Sequence, residues 1–158
     1  MQSYVTLTPF VAAVLAVSMT GSLFRPGDWY QRLDKPSWTP PGWLFAPAWA
    51  LLYIAMAVAG WLVWLQAGIG PALVVWTIQL IFNGAWSYVM FGRKQIGAAM
   101  LTLCGLWLLV ALFAWMAWPI SRSASMLFWP YLAWVSFAGA LNFSIWRRNP
   151  SASHSASN

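Results

Sequence analysis

The chain has 158 residues, of which eight are Lys or Arg and two are Asp, whereas fourteen are Trp. A soluble domain has roughly a quarter of its residues charged, and this chain has only 6 %. That supply is too small to cover a water-facing surface. The 61 % hydrophobic content also excludes a disordered chain, in which apolar residues are scarce. Length and composition therefore predict a membrane protein of one domain.

In chain order, the stretches without charged residues predict the membrane-spanning helices. These stretches cover residues 1–24, 36–92, 95–121 and 123–146, and a spanning helix needs roughly 20 apolar residues. The longest stretch holds two helices, because Gly68 and Gly70 end one helix and Pro71 favours the first turn of the next. The predicted helices cover residues 4–24, 43–66, 71–91, 96–118 and 126–146.

The polarity pattern of these runs predicts the fold class. A transmembrane β-barrel has short segments of alternating polarity, and none of these runs alternates. We expect an all-α integral membrane protein, a bundle of five transmembrane helices with a structured first loop, over residues 1–149. The polar residues 150–158 are predicted to form a disordered tail.

The basic residues predict the orientation of the bundle. With five spans, one side carries only Arg122, and the opposite side carries Arg25, Arg32, Lys35, Arg93, Lys94, Arg147 and Arg148. Basic loops favour the cytoplasm, so we expect the N-terminus outside and the C-terminus in the cytoplasm of a multi-pass protein in a bacterial inner membrane. No basic cluster exceeds two residues, so a nucleic-acid partner is not expected.

Residues for metal binding and conventional catalysis are scarce. Cys104 is the single cysteine, His154 is the single histidine, and no Asp or Glu lies in a predicted span. These counts disfavour a structural zinc site, a His-ligated haem and a carboxylate proton relay. We therefore predict no metal site, no required cofactor and no conventional catalytic residue.

The first loop is rich in proline and aromatic residues. Pro36, Pro40 and Pro41 hold it in a non-helical conformation, and it is longer than a simple helix connection requires. Two interpretations are open for its tryptophans, which are Trp29, Trp38 and Trp43. They form part of an interfacial belt, or they belong to a lid that packs over one mouth of the bundle.

Polar and aromatic residues share single faces of the third and fifth predicted helices. The third helix has Trp76, Gln79, Asn83, Trp86 and Ser87 at helical spacing, and the fifth has Tyr131, Trp134, Ala138 and Asn142. Side-chain amides within a span need hydrogen-bond partners, so these faces are expected to point into the bundle. The amides tie helices to one another, or they line a pocket for a flat, mostly apolar ligand.

Three segments together resemble the tryptophan-rich sensory protein and translocator protein family (TspO/MBR), once called peripheral-type benzodiazepine receptors. The segments are Trp29-Tyr30 with Lys35-Pro36, Trp38, Pro40-Pro41-Gly42-Trp43, Phe45 and Trp49; then Trp76, Gln79-Leu80, Asn83 and Trp86; then Pro130-Tyr131, Trp134, Phe137-Ala138 and Leu141-Asn142. The resemblance extends from residue 1 to about residue 149.

This resemblance implies a membrane receptor or sensor for porphyrins, such as protoporphyrin IX and haem, and for isoquinoline and benzodiazepine ligands. The ligand would occupy an aromatic pocket under the first loop, at the cytoplasmic side of a homodimeric protein, and its transport across the membrane is an open question. Carried over by motif, the ligand-binding residues are Tyr30, Trp38, Phe45, Trp49, Asn83, Trp134 and Ala138. Trp49 and Asn83 would offer an indole N–H and an amide to the ligand, and the other rings would stack on it.

Two other functions are open. The resemblance also implies light-dependent degradation of protoporphyrin, for which Trp38 and Trp134 are the candidate residues, whereas a non-catalytic partner protein would use its aromatic residues only for belt and packing. Cholesterol binding is doubtful, because Phe143 stands where the family's sterol-linked pattern has Tyr. A ridge of small residues in the first helix serves either dimerisation or packing within the bundle; it comprises Ala12, Ala16 and Thr20.

Overall fold

The computed structural model describes residues 5–150, and within that range the chain is helical and contains no strand. The helices in this range are α1 (Thr8–Leu23), α2 (Asp28–Gln31), α3 (Phe45–Ala67), α4 (Pro71–Ser87), α5 (Ile96–Ala117) and α6 (Arg122–Arg148). A 3-10 turn at Gly42–Leu44 leads into α3, and a π-helical turn at Tyr88–Gly92 extends α4. The all-α class predicted from the sequence is confirmed for the described residues.

Among the described residues, four helices are long and apolar enough to cross a membrane. They are Gly42–Ala67, Pro71–Gly92, Ile96–Ala117 and Arg122–Arg148. In the most apolar window of each, 33–39 % of the residues are buried inside the protein, so most of their side chains are available to lipid. Helix α1 is also apolar but has only 16 residues. An integral multi-pass protein is therefore supported, whereas the predicted count of five spans is not fully confirmed.

The first loop, predicted to be non-helical, contains the short helix α2 before Pro36 and the 3-10 turn at Gly42–Leu44 after Pro41, so that prediction is wrong outside the proline segment itself. Among the long helices, the ends differ from the predicted bounds mainly in α6. This helix begins at Arg122 rather than at residue 126, because the Ser121 side chain accepts a hydrogen bond from the Ala124 backbone N–H at 3.3 Å and caps the first turn. The predicted loop 119–125 is shortened accordingly. The start of the predicted first helix at residue 4, and the predicted tail apart from Pro150, lie outside the described residues.

The break between α3 and α4 lies where the glycines and the proline predicted it. Gly68 adopts a φ of 64° after the last residue of α3, and its backbone N–H donates to the Trp64 carbonyl at 2.8 Å. This left-handed conformation favours glycine, which has no Cβ to clash with the backbone. Pro71 then occupies the first turn of α4, where its missing N–H costs no helical hydrogen bond.

Helix α1 packs along α4 from end to end. Phe10, near its start, contacts Trp76 at a ring-centroid distance of 5.4 Å, and Phe24, just after its end, contacts Tyr88 at 5.1 Å. Both helices therefore run in the same direction. Close packing of α1 against a neighbouring helix is the common arrangement when small residues let helices approach.

Of the small residues predicted to form a ridge in α1, one packs within the bundle and two face outward. Thr20 lies against Gly84 of α4, where an added Cβ would come within 3.4 Å of the Thr20 hydroxyl. Ala12 and Ala16 are exposed on the outer surface of the chain. Thr20 therefore packs within the bundle, and the homodimer remains a prediction.

Polar contacts join α5 to α6 inside the bundle. The Ser125 hydroxyl donates to the Ala114 carbonyl at 2.7 Å, and the Asn142 amide donates to the Ile96 carbonyl at 3.1 Å. Each bond pairs a buried polar group, and leaving such a group unpaired in a water-free interior would destabilise the protein by several kcal/mol. Asn142 thus ties two helices together, as one of the two sequence interpretations predicted.

One end of the bundle collects the C-terminal ends of α1, α4 and α6, the N-terminal ends of α3 and α5, and the first loop (residues 24–44). We call it the basic end, because it carries Arg25, Arg32, Lys35, Arg93, Lys94, Arg147 and Arg148. Arg122 lies at the opposite end, at the start of α6. The uneven charge distribution predicted from the sequence is therefore present in the folded chain.

Candidate functional site

The first loop is held in shape by Lys35. Its ammonium group donates hydrogen bonds to the carbonyl oxygens of Tyr30, Gln31 and Leu33 at 2.9, 3.0 and 3.2 Å. It also lies 5.0 Å from the centre of the Tyr30 ring, which is within the range of a cation–π contact. A single cation thus adds a hydrogen bond to three carbonyl groups at and just after the C-terminal end of α2.

The end of α6 anchors the same loop. The Asn149 side chain accepts a hydrogen bond from the Asp34 backbone N–H at 3.0 Å and donates one to the Asp34 carbonyl at 2.9 Å. Arg148 also approaches the Asp34 carboxylate at 3.6 Å, but both side chains are exposed, so this ion pair contributes little stability. Leu33 is buried next to this anchor, which makes the loop a packed cover rather than a free connection.

Under the loop, six aromatic rings contact one another in a continuous group. We call this group the aromatic chamber; its members are Trp38, Phe45, Trp49, Tyr131, Trp134 and Phe137. Trp134 is at its centre, with ring-centroid distances of 5.8 Å to Phe45, 6.4 Å to Trp49 and 5.8 Å to Phe137. Most of the pairs are edge-to-face, the geometry that the ring quadrupoles favour.

Trp38 brings the loop itself into the chamber. Its ring contacts Phe137 at 5.8 Å, while 48 % of the residue remains exposed. Trp43, by contrast, is 73 % exposed and suits the interfacial belt, where indole rings favour the headgroup level. The two interpretations of the loop tryptophans therefore apply to different residues: Trp38 covers the chamber, and Trp43 faces the surroundings.

A directional chain of hydrogen bonds lies beneath the rings. The Tyr53 hydroxyl donates to Asn83 Oδ1 at 3.0 Å, Asn83 Nδ2 donates to the Tyr131 hydroxyl at 2.7 Å, and that hydroxyl donates to Gln79 Oε1 at 3.1 Å. The chain links α3, α4 and α6 and satisfies both polar atoms of the Asn83 amide. Asn83 therefore acts as a tie between helices in this structure, and its amide has one further N–H and one further oxygen lone pair beyond these two bonds.

Three buried polar atoms in this region have no hydrogen-bond partner within the described residues. They are Gln79 Nε2, Trp86 Nε1 and Asn142 Oδ1. A buried donor or acceptor without a partner costs roughly 1–3 kcal/mol, so such atoms are usually occupied by water or by a ligand. Gln79 and Trp86 therefore offer two free donors to a molecule bound inside the bundle.

The seven residues carried over by the family resemblance lie at one end of the bundle but not in one group. Trp38, Phe45, Trp49 and Trp134 are members of the aromatic chamber, and Asn83 reaches it through Tyr131. Ala138 is half-buried on α6, one turn after Trp134. Tyr30 lies apart from these rings.

Tyr30 contacts Phe91 at 5.5 Å, and Phe91 in turn contacts Trp86 at 5.6 Å. This second aromatic group lies beside the chamber, next to the turn that follows α4. Burial raises the pKa of the Tyr30 phenol above its usual value, so the group stays neutral at physiological pH and acts as a hydrogen-bonding and stacking side chain.

Asn149 anchors the loop over the site, and sequence reasoning missed this role. The residue follows the last turn of α6, and its backbone N–H donates to the Ile145 carbonyl at 3.1 Å, as expected of a residue that ends a helix. Its position at a helix end was visible in the sequence, but its bond to Asp34 joins residues 115 positions apart. Nothing local predicts such a pairing.

Fold and site together define a class: a helical multi-pass membrane protein with an aromatic chamber covered by a loop at its basic end. The family model described as TspO/MBR family matches residues 10–147, and the chain belongs to that family.

Its relatives include bacterial and animal proteins. The chain is 40 % identical to Protein CrtK of Rhodobacter capsulatus, over 89 % of this chain and 90 % of that protein. It is 41 % identical to the tryptophan-rich sensory protein of Cereibacter sphaeroides, over 89 % of each chain. It is also 40 % identical to the translocator protein of Homo sapiens, over 89 % of this chain and 90 % of that one. The family resemblance inferred from the three segments is confirmed.

Proposed function

We propose that this chain is a membrane receptor or sensor that binds porphyrins, such as protoporphyrin IX and haem, in the aromatic chamber. The observation that carries the proposal is a continuous group of six rings, covered by an anchored loop, beside buried donors without partners. A flat conjugated ligand stacks on such rings and gains roughly 0.5–1.5 kcal/mol per good aromatic contact. Isoquinoline and benzodiazepine-type molecules also contain planar fused aromatic rings, and we include them in the same ligand class.

Gln79 and Trp86 are the residues that we expect to donate hydrogen bonds to the ligand. An amide N–H and an indole N–H without partners favour a ligand that presents acceptor atoms, such as carbonyl oxygens or ring nitrogens. The chamber rings contact one another, so a ligand must separate them, and Trp38 is the ring most able to move because it is half-exposed. Porphyrin or haem enters this proposal as a ligand, and the protein requires no resident cofactor.

Helix α1 completes the proposed membrane arrangement. We take α1 as the fifth span, because its contacts with α4 run from Phe10 near one end to Phe24 at the other. With five spans, the basic end faces the cytoplasm of a bacterial inner membrane, and the N-terminus lies outside. Two of the relatives are named sensory protein and translocator protein. Sensing of the ligand and transport of the ligand are therefore the two functions to distinguish by experiment. The family resemblance also supports a homodimer.

A titration with protoporphyrin IX tests the chamber. Quenching of tryptophan fluorescence should saturate, and the double variant Trp49→Phe with Trp134→Phe should bind about tenfold more weakly, since two indole contacts are reduced. Phenylalanine keeps the core packed, which separates ligand binding from folding. Trp115→Phe is the matched control, because Trp115 is 73 % exposed on α5. An affinity that is unchanged in the double variant would overturn the assignment of the chamber.

Light-dependent degradation of protoporphyrin is the second candidate function. Trp38 and Trp134 both contact Phe137, each at 5.8 Å, so two indoles lie close to any ligand held in the chamber. Illumination should then yield a new absorption spectrum with the wild-type protein and not with Trp38→Phe plus Trp134→Phe at equal occupancy. Bleaching at the same rate with denatured protein would exclude this activity. Failure of both binding and bleaching would favour a non-catalytic partner protein.

A further inference from the structure

A separate cavity of about 340 Å³ opens at the basic end, outside the aromatic chamber. It lies between the segment that follows α1, the short helix α2 and the turn between α4 and α5. Its lining residues are Arg25, Gly27, Asp28, Trp29, Arg32, Phe91 and Lys94. The proposed function of the chamber uses none of the charged residues in this set.

The charge of the cavity is unbalanced. Arg25, Arg32 and Lys94 face one acid, Asp28, and within residues 5–150 the one ion pair joins other residues, Arg148 and Asp34. Arg25 uses its Nε to donate to the Ser22 carbonyl at 2.9 Å, which directs one nitrogen to α1 and leaves its terminal nitrogens without a described partner. Uncompensated cations around a concave surface attract an anion and offer it charge-assisted hydrogen bonds.

The turn that carries Lys94 is held in a defined shape. The Arg93 backbone N–H donates to the Tyr88 carbonyl at 2.8 Å, and the Gln95 N–H donates to the Val89 carbonyl at 3.1 Å. Lys94 itself adopts a φ of 56°, a left-handed conformation that is uncommon for residues with a side chain. The backbone therefore holds the Cα of Lys94 beside the cavity, which its side chain lines.

The apolar residues around the cavity indicate which kind of anion it binds. Trp29 and Phe91 are half-buried walls of the cavity, and the neighbouring ends of α1 and α4 expose Leu23 and Tyr88. Those two helix ends are in contact, since Phe24 packs against the Tyr88 ring at 5.1 Å. An anionic group attached to apolar chains fits this combination, with its charge in the cavity and its chains along α1 and α4.

We propose that the cavity binds the phosphate group of an anionic phospholipid. Arg25, Arg32 and Lys94 contact the phosphate, and Trp29 and Phe91 lie at the depth of the glycerol, where aromatic rings favour the interface. Cationic residues near a membrane surface attract anionic headgroups. The site goes beyond the proposed porphyrin function and does not depend on it. The shared chemistry is a phosphate group, and a free phosphate is the competing source.

Native mass spectrometry of the full chain in detergent micelles tests the proposal with two lipids, dioleoyl phosphatidylglycerol and dioleoyl phosphatidylcholine. The site variant is Arg32→Gln with Lys94→Gln. The matched control is Arg93→Gln with Arg147→Gln, which removes the same charge from the same end of the bundle but not from the cavity. The single variant Lys94→Gln, in an exposed turn, serves if the double variant does not fold.

The wild-type protein and the control should bind one phosphatidylglycerol more tightly than phosphatidylcholine, and the site variant should lose at least about tenfold in affinity, since each cation near the surface contributes to headgroup binding. Lys94→Gln alone should lose roughly fivefold. Equal losses in site variant and control would mean attraction by surface charge alone and would overturn the site, as would equal binding of the two lipids.

Two further outcomes would also overturn it. If inorganic phosphate binds to the cavity and phosphatidylglycerol does not, the anion is soluble and the lipid assignment is wrong. If the site variant melts at a lower temperature while its lipid affinity is unchanged, Arg32 and Lys94 only stabilise the fold and do not bind the headgroup.

Discussion

At the scale of single residues, Lys35 has the largest structural role among the charged side chains described. Three carbonyl groups of the first loop depend on its ammonium group, and its contact with the Tyr30 ring couples the loop to the aromatic residues beside the chamber. In the sequence, Lys35 contributes to the basic side and to the family resemblance; in the structure it also helps to hold the loop that covers the site.

Replacement of Lys35 by Met should loosen this loop while the helices remain folded. Methionine keeps much of the side-chain length but cannot donate, so three carbonyl groups each lose one hydrogen bond. Because these bonds are exposed or partly buried, we expect a cost of roughly 0.5–1.5 kcal/mol. Hydrogen–deuterium exchange should become faster in residues 28–36 and not in α5. Arg93→Met is the control, because Arg93 is an exposed cation at the same end. Exchange that is equally slow in Lys35→Met would mean that Asn149 and Leu33 hold the loop without Lys35.

At the scale of helices, two close contacts determine how α3 and α4 pack. The Trp76 indole of α4 donates to the Met56 carbonyl of α3 at 2.9 Å, and its ring lies over Gly60. A Cβ placed at Gly60 would come within 2.5 Å of that ring. A glycine is therefore required at position 60 because the Trp76 ring of α4 lies against α3 there. The backbone conformation of Gly60 does not itself require glycine.

Gly60→Ala should destabilise the protein by roughly 1–3 kcal/mol, because the Trp76 ring must shift to make room for the methyl group. Gly139→Ala is the matched control, since Gly139 is also within a helix and an added Cβ there would meet Leu103 at 3.8 Å, an ordinary contact. The control should be neutral or slightly stabilising, as alanine favours the helix over glycine. Thermal unfolding in detergent measures both; equal melting temperatures would contradict the predicted clash.

At the scale of the whole molecule, charge distribution and packing give the two ends of the bundle different characters. The basic end carries the first loop, the aromatic chamber and the cavity proposed to bind a lipid phosphate. The opposite end carries Arg122, which lies 5.5 Å from the centre of the Trp118 ring. The positive-inside bias counts the basic residues of the short loops beside the spans, and it predicts that the basic end faces the cytoplasm.

Cysteine labelling in intact bacterial cells tests this orientation. In a Cys104→Ser background, Gln31→Cys at the basic end should react with a membrane-impermeant maleimide only after the cells are permeabilised. Ser123→Cys at the other end should react in intact cells, because both positions are exposed but lie on opposite sides of the predicted membrane. The reverse pattern, or labelling of both positions from outside, would contradict the predicted topology.

The sequence alone determined the class, the helices and the family of this protein. Lipid cannot satisfy backbone polar groups, so long apolar runs must become helices wherever they lie in the chain, and the spacing of Trp134 and Ala138 follows from the same periodicity. For this reason the predicted helices differ from the observed ones by a few residues, chiefly where the Ser121 cap extends α6. The rings of the chamber were predictable as members of inward faces.

Only the tertiary structure decided how those faces meet. It joined Tyr53, Asn83, Tyr131 and Gln79 in one hydrogen-bonded chain, and it separated Tyr30 from the chamber rings. It also brought Asp34 to Asn149 across 115 positions and left two donors beneath the loop without partners. Helical periodicity fixes the direction of a side chain relative to its own helix, whereas contacts between helices depend on their relative rotation and height, which no local pattern contains.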